Sequence, residues 1–104
     1  MLNIQKAVEN EAACVSLEGR LDTVSAPELE QALKETLPGL TDLTLDFEKL
    51  DYISSAGLRV LLSAQKAMNK QGSMTVTNVN ETIMEIFKVT GFTDILTIVS
   101  GAEA

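Results

Sequence analysis

Leu2, Ile4 and Val8 nearly keep a two-residue alternation, and Ala13, Val15 and Leu17 resume it after the polar break Glu9-Asn10-Glu11. That period predicts two strands joined by a hairpin-like turn. The segment Gly19 to Val24 leads into Ser25-Ala26-Pro27-Glu28, where a serine stands three residues before a glutamate. Such a capping box, with proline in the first turn, predicts a helix start. Ala26, Leu29, Leu33 and Leu37 fall on one face of that helix, and Pro38-Gly39 ends it.

Leu43, Leu45 and Phe47 alternate with Thr44 and Asp46, which predicts a third strand ending in the acidic stretch Glu48 to Asp51. A second helix opens at Ser54-Ser55 and runs to about Gln71-Gly72, and Met74 with Val76 marks a short strand. Asn80 is placed to cap a third helix that points Ile83, Ile86 and Phe87 inward and stops at Gly91. Ile95 to Val99, four apolar residues in five, fits a last strand or a short helix equally. Gly101 to Ala104 are expected to be loose. The order β-β-α-β-α-β-α places the chain in the α/β class, one domain over residues 1–104 with helices packed on a mixed sheet.

Composition removes several kinds of chemistry. The chain has 104 residues and no histidine, so Ser-His-Asp and Cys-His nucleophile arrangements and imidazole zinc sites are excluded. Cys14 is the single cysteine and forms no internal disulfide; it is expected to be a small buried hydrophobe of the second strand. Met68, Met74 and Met84 fall at apolar positions and are expected to fill the core. No metal site and no cofactor are expected. The net charge of -7 argues against unassisted nucleic-acid binding. No segment approaches the roughly 18 apolar residues of a membrane span, and the start lacks a charged region followed by an apolar run. A cytoplasmic address is expected.

The charge is unevenly placed. Residues 1–52 hold eleven acids and four bases, whereas residues 53–104 hold four of each. Between residues 53 and 80 stand Arg59, Lys66 and Lys70 with no acid. On a helix beginning at Ser55, the apolar positions Leu58, Leu61, Leu62 and Met68 form a buried face. Ser55, Arg59, Ser63, Lys66 and Lys70 follow at spacings of four, four, three and four, which makes one exposed stripe topped by serine and otherwise mostly basic.

Two readings of that serine pair stand side by side. Ser54 or Ser55 is an N-cap whose hydroxyl accepts from first-turn amides, while Gly57 lets the helix approach the sheet. Alternatively the serine is a phosphorylation site, because a helix start presents free N–H groups and the positive end of the macrodipole to a phosphate. Arg59, four residues on, adds a charge-assisted partner. A cap hydroxyl facing solvent satisfies both.

Gly19-Arg20-Leu21-Asp22, Leu45-Asp46-Phe47, Tyr52 to Leu61 and Gly91-Phe92 together resemble the bacterial anti-sigma factor antagonists of the STAS domain family. The likeness covers nearly the whole chain, and Ser54-Ser55-Ala56-Gly57-Leu58 is its most specific part. It implies a sheet of about four strands with helices mainly on one face. It also implies a partner switch: the unphosphorylated antagonist binds an anti-sigma factor that is a GHKL-type serine kinase and so frees the sigma factor. Phosphate on the serine ends the interaction, and a PP2C-type phosphatase reverses it. The family's phosphoserine falls on Ser55, with Ser54 as alternative acceptor, and its loop aspartate falls on Asp22, expected near that serine. Ala56, Gly57 and Arg59 complete the expected partner-binding and phosphate-proximal set. Where members often carry aspartate before the serine, this chain has Ser54, which removes one negative charge from the site.

The expected mechanism is electrostatic. A phosphoserine adds about -1.5 to -2 charge at a helix start flanked by Asp22, Glu48 and Asp51, which disfavours a surface matched to the neutral serine. From residues alone, Arg59 reads equally as a solvated helix charge and Asp22 as a loop aspartate in an Asx turn. Glu28, Glu30 and Glu35 are candidates to meet a basic partner. Other STAS modules act as scaffolds or small-ligand binders in stress-sensing or transporter-associated complexes, which is the alternative reading. An enzyme is not expected, since a hydrolase would need a general base beside Ser55 and only carboxylates are present.

Overall fold

The fold is that of a computed structural model in which residues 2–99 are described. The hairpin forms as the alternation predicts. Strand β1 (Leu2–Glu9) runs antiparallel to β2 (Ala12–Leu21), and Asn10 takes φ 58° in the turn, a conformation asparagine tolerates. Gly101 to Ala104 lie outside the described residues.

Helix α1 (Ala26–Thr36) buries Ala26, Leu29 and Leu33, but the predicted capping box does not form. Ser25 already has helical angles and makes no side-chain cap bond. Its side chain is buried and turned back into the loop, where its hydroxyl oxygen accepts from the Asp22 N–H at 2.9 Å and lies 2.8 Å from the Arg20 carbonyl. Tertiary burial claims the hydroxyl that the local rule assigned to the helix.

Strand β3 (Asp42–Ile53) also departs from expectation, since it continues straight through the acidic stretch. Its buried positions are Leu43, Leu45 and Phe47, then Leu50 and Ile53. Each step of three marks an extra residue. Between the pairs Ser16↔Asp46 and Glu18↔Lys49, and again between Gly19↔Leu50 and Arg20↔Tyr52, β3 advances one residue more than β2. Two bulges of this kind break the two-residue period without ending the strand.

Helix α2 (Ser55–Gln71), strand β4 (Ser73–Thr77) and helix α3 (Glu81–Thr90) follow as predicted. Asn80 caps α3 by accepting from the Ile83 N–H at 2.8 Å, and Gly91 ends it with φ 80°. The ambiguous segment Ile95 to Val99 resolves in favour of a strand, the three-residue β5 (Thr97–Val99), and a 3-10 turn over Phe92–Asp94 precedes it. The sheet therefore has five strands in the order β1-β2-β3-β4-β5, antiparallel at the first pair and parallel elsewhere.

One face of this sheet carries the core. Val15, Leu17, Leu43, Leu45, Phe47, Met74 and Val76 join Leu29, Leu33, Leu61, Met68, Ile83 and Phe87 of the three helices in one buried cluster. Phe87 lies between Phe47 and Phe92, with ring centroids 6.4 and 6.3 Å away. The other face presents Cys14, Ser16, Thr44, Asp46, Thr75 and Thr77, all half-buried. Cys14 is thus not the buried hydrophobe expected: alternation sends Ala13 and Val15 inward and leaves the thiol on the uncovered side. Met68 and Met74 are buried as expected, and Met84 is half-buried. Among the described residues no helix is long and apolar enough to cross a membrane.

Helix α2 lies tight against the strand ends. A Cβ on Gly57 would come within 2.7 Å of Leu21 Cγ and 2.8 Å of Ile53 Cγ1. Gly57→Ala is expected to cost about 1–3 kcal/mol, because both neighbours are packed branched side chains; a urea midpoint equal to wild type would contradict it.

Candidate functional site

The bulged β3 delivers Ser54 beside the end of β2, where the Ser54 N–H donates to the Leu21 carbonyl at 2.9 Å. That bond fixes the start of α2 next to the β2–α1 loop, at the carboxyl ends of two parallel strands, a customary place for sites in open α/β sheets. Ser54 is extended and acts as N-cap, its oxygen 3.5 Å from the Gly57 N–H, while its carbonyl takes the Leu58 N–H at 3.0 Å. Ser55 is the first helical residue and is exposed. Among the described residues neither the Ser55 nor the Ala56 N–H has an acceptor, and the first turn of α2 contains no acid. This is the unneutralised positive end of a 17-residue helix.

The stripe predicted behind it forms: Ser55, Arg59, Ser63, Lys66 and Lys70 are all exposed. The buried side of α2 includes Leu58, Leu61 and Met68 as predicted, with Val60, Ala64 and Gln65 in addition, while Leu62 is only half-buried.

Asp22 serves the loop first. Its Oδ1 accepts from the Val24 N–H at 3.1 Å and the Ser25 N–H at 3.0 Å, and lies 3.0 Å from the Ser25 hydroxyl. The Ser25 amide foremost, then the Ser25 hydroxyl, hold its carboxyl below the ordinary carboxylate value, with the Val24 amide adding to the effect. Because the folded value is depressed, the stabilisation is present above the unfolded value of about 3.9 and is lost as pH falls through it toward the folded one. Asp22→Asn keeps an acceptor and drops the charge, so the variant is expected to lose less stability than wild type between pH 6 and pH 3. Identical pH profiles in urea unfolding would contradict this.

The loop so organised projects Val24, an apolar side chain 83% exposed, just ahead of α1. Between α1 and α2 runs a groove of about 250 Å³ lined by Thr23, Ala26, Pro27, Glu30, Ala56, Arg59 and Val60. Glu48, expected to flank the serine, instead lines a separate groove on the uncovered sheet face with Asn3, Gln5, Ser16 and Asp46.

The sequence profile of the family described as Mlab, STAS domain, matches residues 4–99. The chain belongs to the STAS domain family. A protein of Bordetella bronchiseptica named as an anti-sigma factor antagonist, BtrV, is 34% identical over 90 residues, 85% of this chain and 78% of the relative. The anti-sigma-B factor antagonist of Staphylococcus aureus is 29% identical over 104 residues, 98% of this chain and 96% of the relative. A solved structure of the Bacillus cell fate determinant SpoIIAA in the phosphorylated form superposes with a TM-score of 0.73 at 19% identity. It covers 97% of this chain and 95% of that one, a likeness of fold.

Within this STAS domain, the structure gathers Ser54, Ser55, Ala56, Gly57 and Arg59 on the first two turns of α2, with Asp22 in the neighbouring loop. The sequence pattern passed over Val24 and gave Ser25 the role of a cap in place of its buried role in the loop. Their signal was an apolar residue between Asp22 and a serine, which the capping-box pattern masked.

Proposed function

We propose that the chain is an anti-sigma factor antagonist working by a phosphorylation-controlled partner switch. Unphosphorylated, it binds an anti-sigma factor that is a GHKL-type serine kinase, and the sigma factor is released. Phosphate on Ser55 ends the binding, and a PP2C-type phosphatase restores it. Both curated relatives named above carry the antagonist role in their names, which supports the same role here.

The observation that carries the switch is Ser55 itself, exposed at the first position of a helix whose first turn holds open N–H groups and no acid. A phosphate added there meets donors already oriented toward it. Ser54 is the poorer acceptor, being half-buried and engaged as the cap. The action is binding, not turnover, and takes place in the cytoplasm without a cofactor. Asp22, the carboxylate of the adjoining loop, accepts from the Val24 and Ser25 amides through Oδ1, and those bonds hold its carboxyl below the ordinary value and make it a weak base.

The test is incubation with the kinase and ATP followed by mass mapping. One phosphate on Ser55 is expected, absent from Ser55→Ala and retained in Ser54→Ala. Phosphate on neither serine would overturn the reading.

A further inference from the structure

The groove between α1 and α2 holds two opposite charges that do not pair with each other. Glu30 stands on the α1 wall and Arg59 on the α2 wall, with Ala26, Ala56 and Val60 between them. Among the described residues the ion pair within 4.0 Å is Lys6–Glu35, elsewhere in the fold. Small apolar residues along the bottom admit a polypeptide closely, and the walls offer one acceptor and one bidentate donor to whatever enters.

Arg59 also stands four residues after Ser55. Side chains on a helix lean toward its N-terminus, so a residue at this spacing reaches back over the one before it. The guanidinium has two possible clients, a ligand in the groove and a phosphate at the helix start.

We propose, resting on the partner-switch reading, that Arg59 is an exchange residue. In the unphosphorylated chain it binds a carboxylate of a kinase segment seated in the α1–α2 groove, and the same segment presents a cation to Glu30. When Ser55 carries phosphate, the guanidinium is drawn to it. The phosphate outcompetes the carboxylate because it carries about twice the charge and is tethered to the same helix. Release then has two causes: a new negative charge, and withdrawal of the cation that the partner had used. The groove passes from balanced to net negative, which opposes the carboxylate-bearing segment.

The tether is measured without the kinase. Phosphoserine is placed at position 55 during translation, and its second ionisation is followed by phosphorus NMR. It is expected to fall below the usual value of about 6 in the wild-type background and to rise by about half a unit in Arg59→Ala, with Arg59→Lys between them. No difference between the three overturns the exchange.

The groove is tested by calorimetric titration of the unphosphorylated chain with the kinase. Arg59→Ala and Glu30→Ala are each expected to weaken binding about tenfold, and the loss on phosphorylation is expected to be smaller in Arg59→Ala than in wild type. Wild-type affinity in both variants overturns the docking. Circular dichroism melting separates these outcomes from misfolding, since both residues are exposed. A wild-type chain that neither binds the kinase nor accepts its phosphate overturns the function reading and the docking with it. Wild-type switching with no Arg59 effect overturns the exchange alone.

Discussion

Under the partner switch proposed above, Ser55→Asp is expected to weaken binding to the kinase-type anti-sigma factor about a hundredfold, on the order of 3 kcal/mol, while leaving the fold intact. The two effects separate because of where the residue sits. At the first position of α2 a carboxylate is favourable to the helix, since it faces the open N–H groups of a turn that contains no other acid. Thermal stability should therefore stay level or rise slightly. The loss of binding comes from the partner side, where a surface matched to a neutral hydroxyl meets a buried negative charge. Ser55→Ala supplies the complement: it accepts no phosphate, keeps most of the affinity and is insensitive to ATP. Titration of the three forms with the kinase checks the set, and wild-type affinity in Ser55→Asp with full folding would contradict it.

Gly72→Ala is expected to be the most damaging single methyl in the chain. Gly72 joins the end of α2 to β4, its N–H bonded to the Met68 carbonyl at 2.7 Å. A Cβ there would run into the backbone carbonyl of Thr41. That carbonyl accepts the Ser73 N–H at 3.0 Å, and the Thr41 N–H is itself bound to the Glu11 carbonyl at 2.8 Å. No rotamer change relieves a clash between backbones, so either β4 must leave its register beside β3 or the last turn of α2 must unwind. A loss of about 3 kcal/mol or more follows, equivalent to roughly 10–20 °C in melting temperature. Gly39 is the control. Its φ is 79° and nothing lies within 4 Å of where a Cβ would stand, so Gly39→Ala should cost only about 1 kcal/mol from the left-handed backbone. Equal melting temperatures for the two variants would contradict the steric account.

Elements with an uninterrupted period were legible in the residues. The second helix was one, since spacings of three and four from Ser55 to Lys70 placed every basic residue on the exposed side. Caps that depend on a few neighbouring residues were legible too, as at Asn80 and Gly91, while the cap of the second helix was narrowed to the pair Ser54 and Ser55. Strand β3 was cut short because two bulges shift its buried positions from alternate residues to every third. A bulge is set by the partner strand, and nothing in residues 48 to 51 taken alone announces it. Ser25 failed for a related reason: its hydroxyl has a local use at the helix and a tertiary use at Asp22 and Arg20, and burial selects the second.

The same division runs through the site. The residues alone determined that a serine pair opens a helix with a basic exposed face, and that the acids lie mostly before residue 53, because periodicity, capping and charge are properties of neighbours in the chain. The tertiary structure decided which of the two serines caps and which is presented, that Ser54 is tied to Leu21, and that Asp22 shapes a loop projecting Val24. It also set Glu30 and Arg59 on facing walls and brought Gly72 against Thr41. Each of these joins residues brought together by sheet register and helix packing, which depend on the whole core at once and leave no period in any short stretch of sequence.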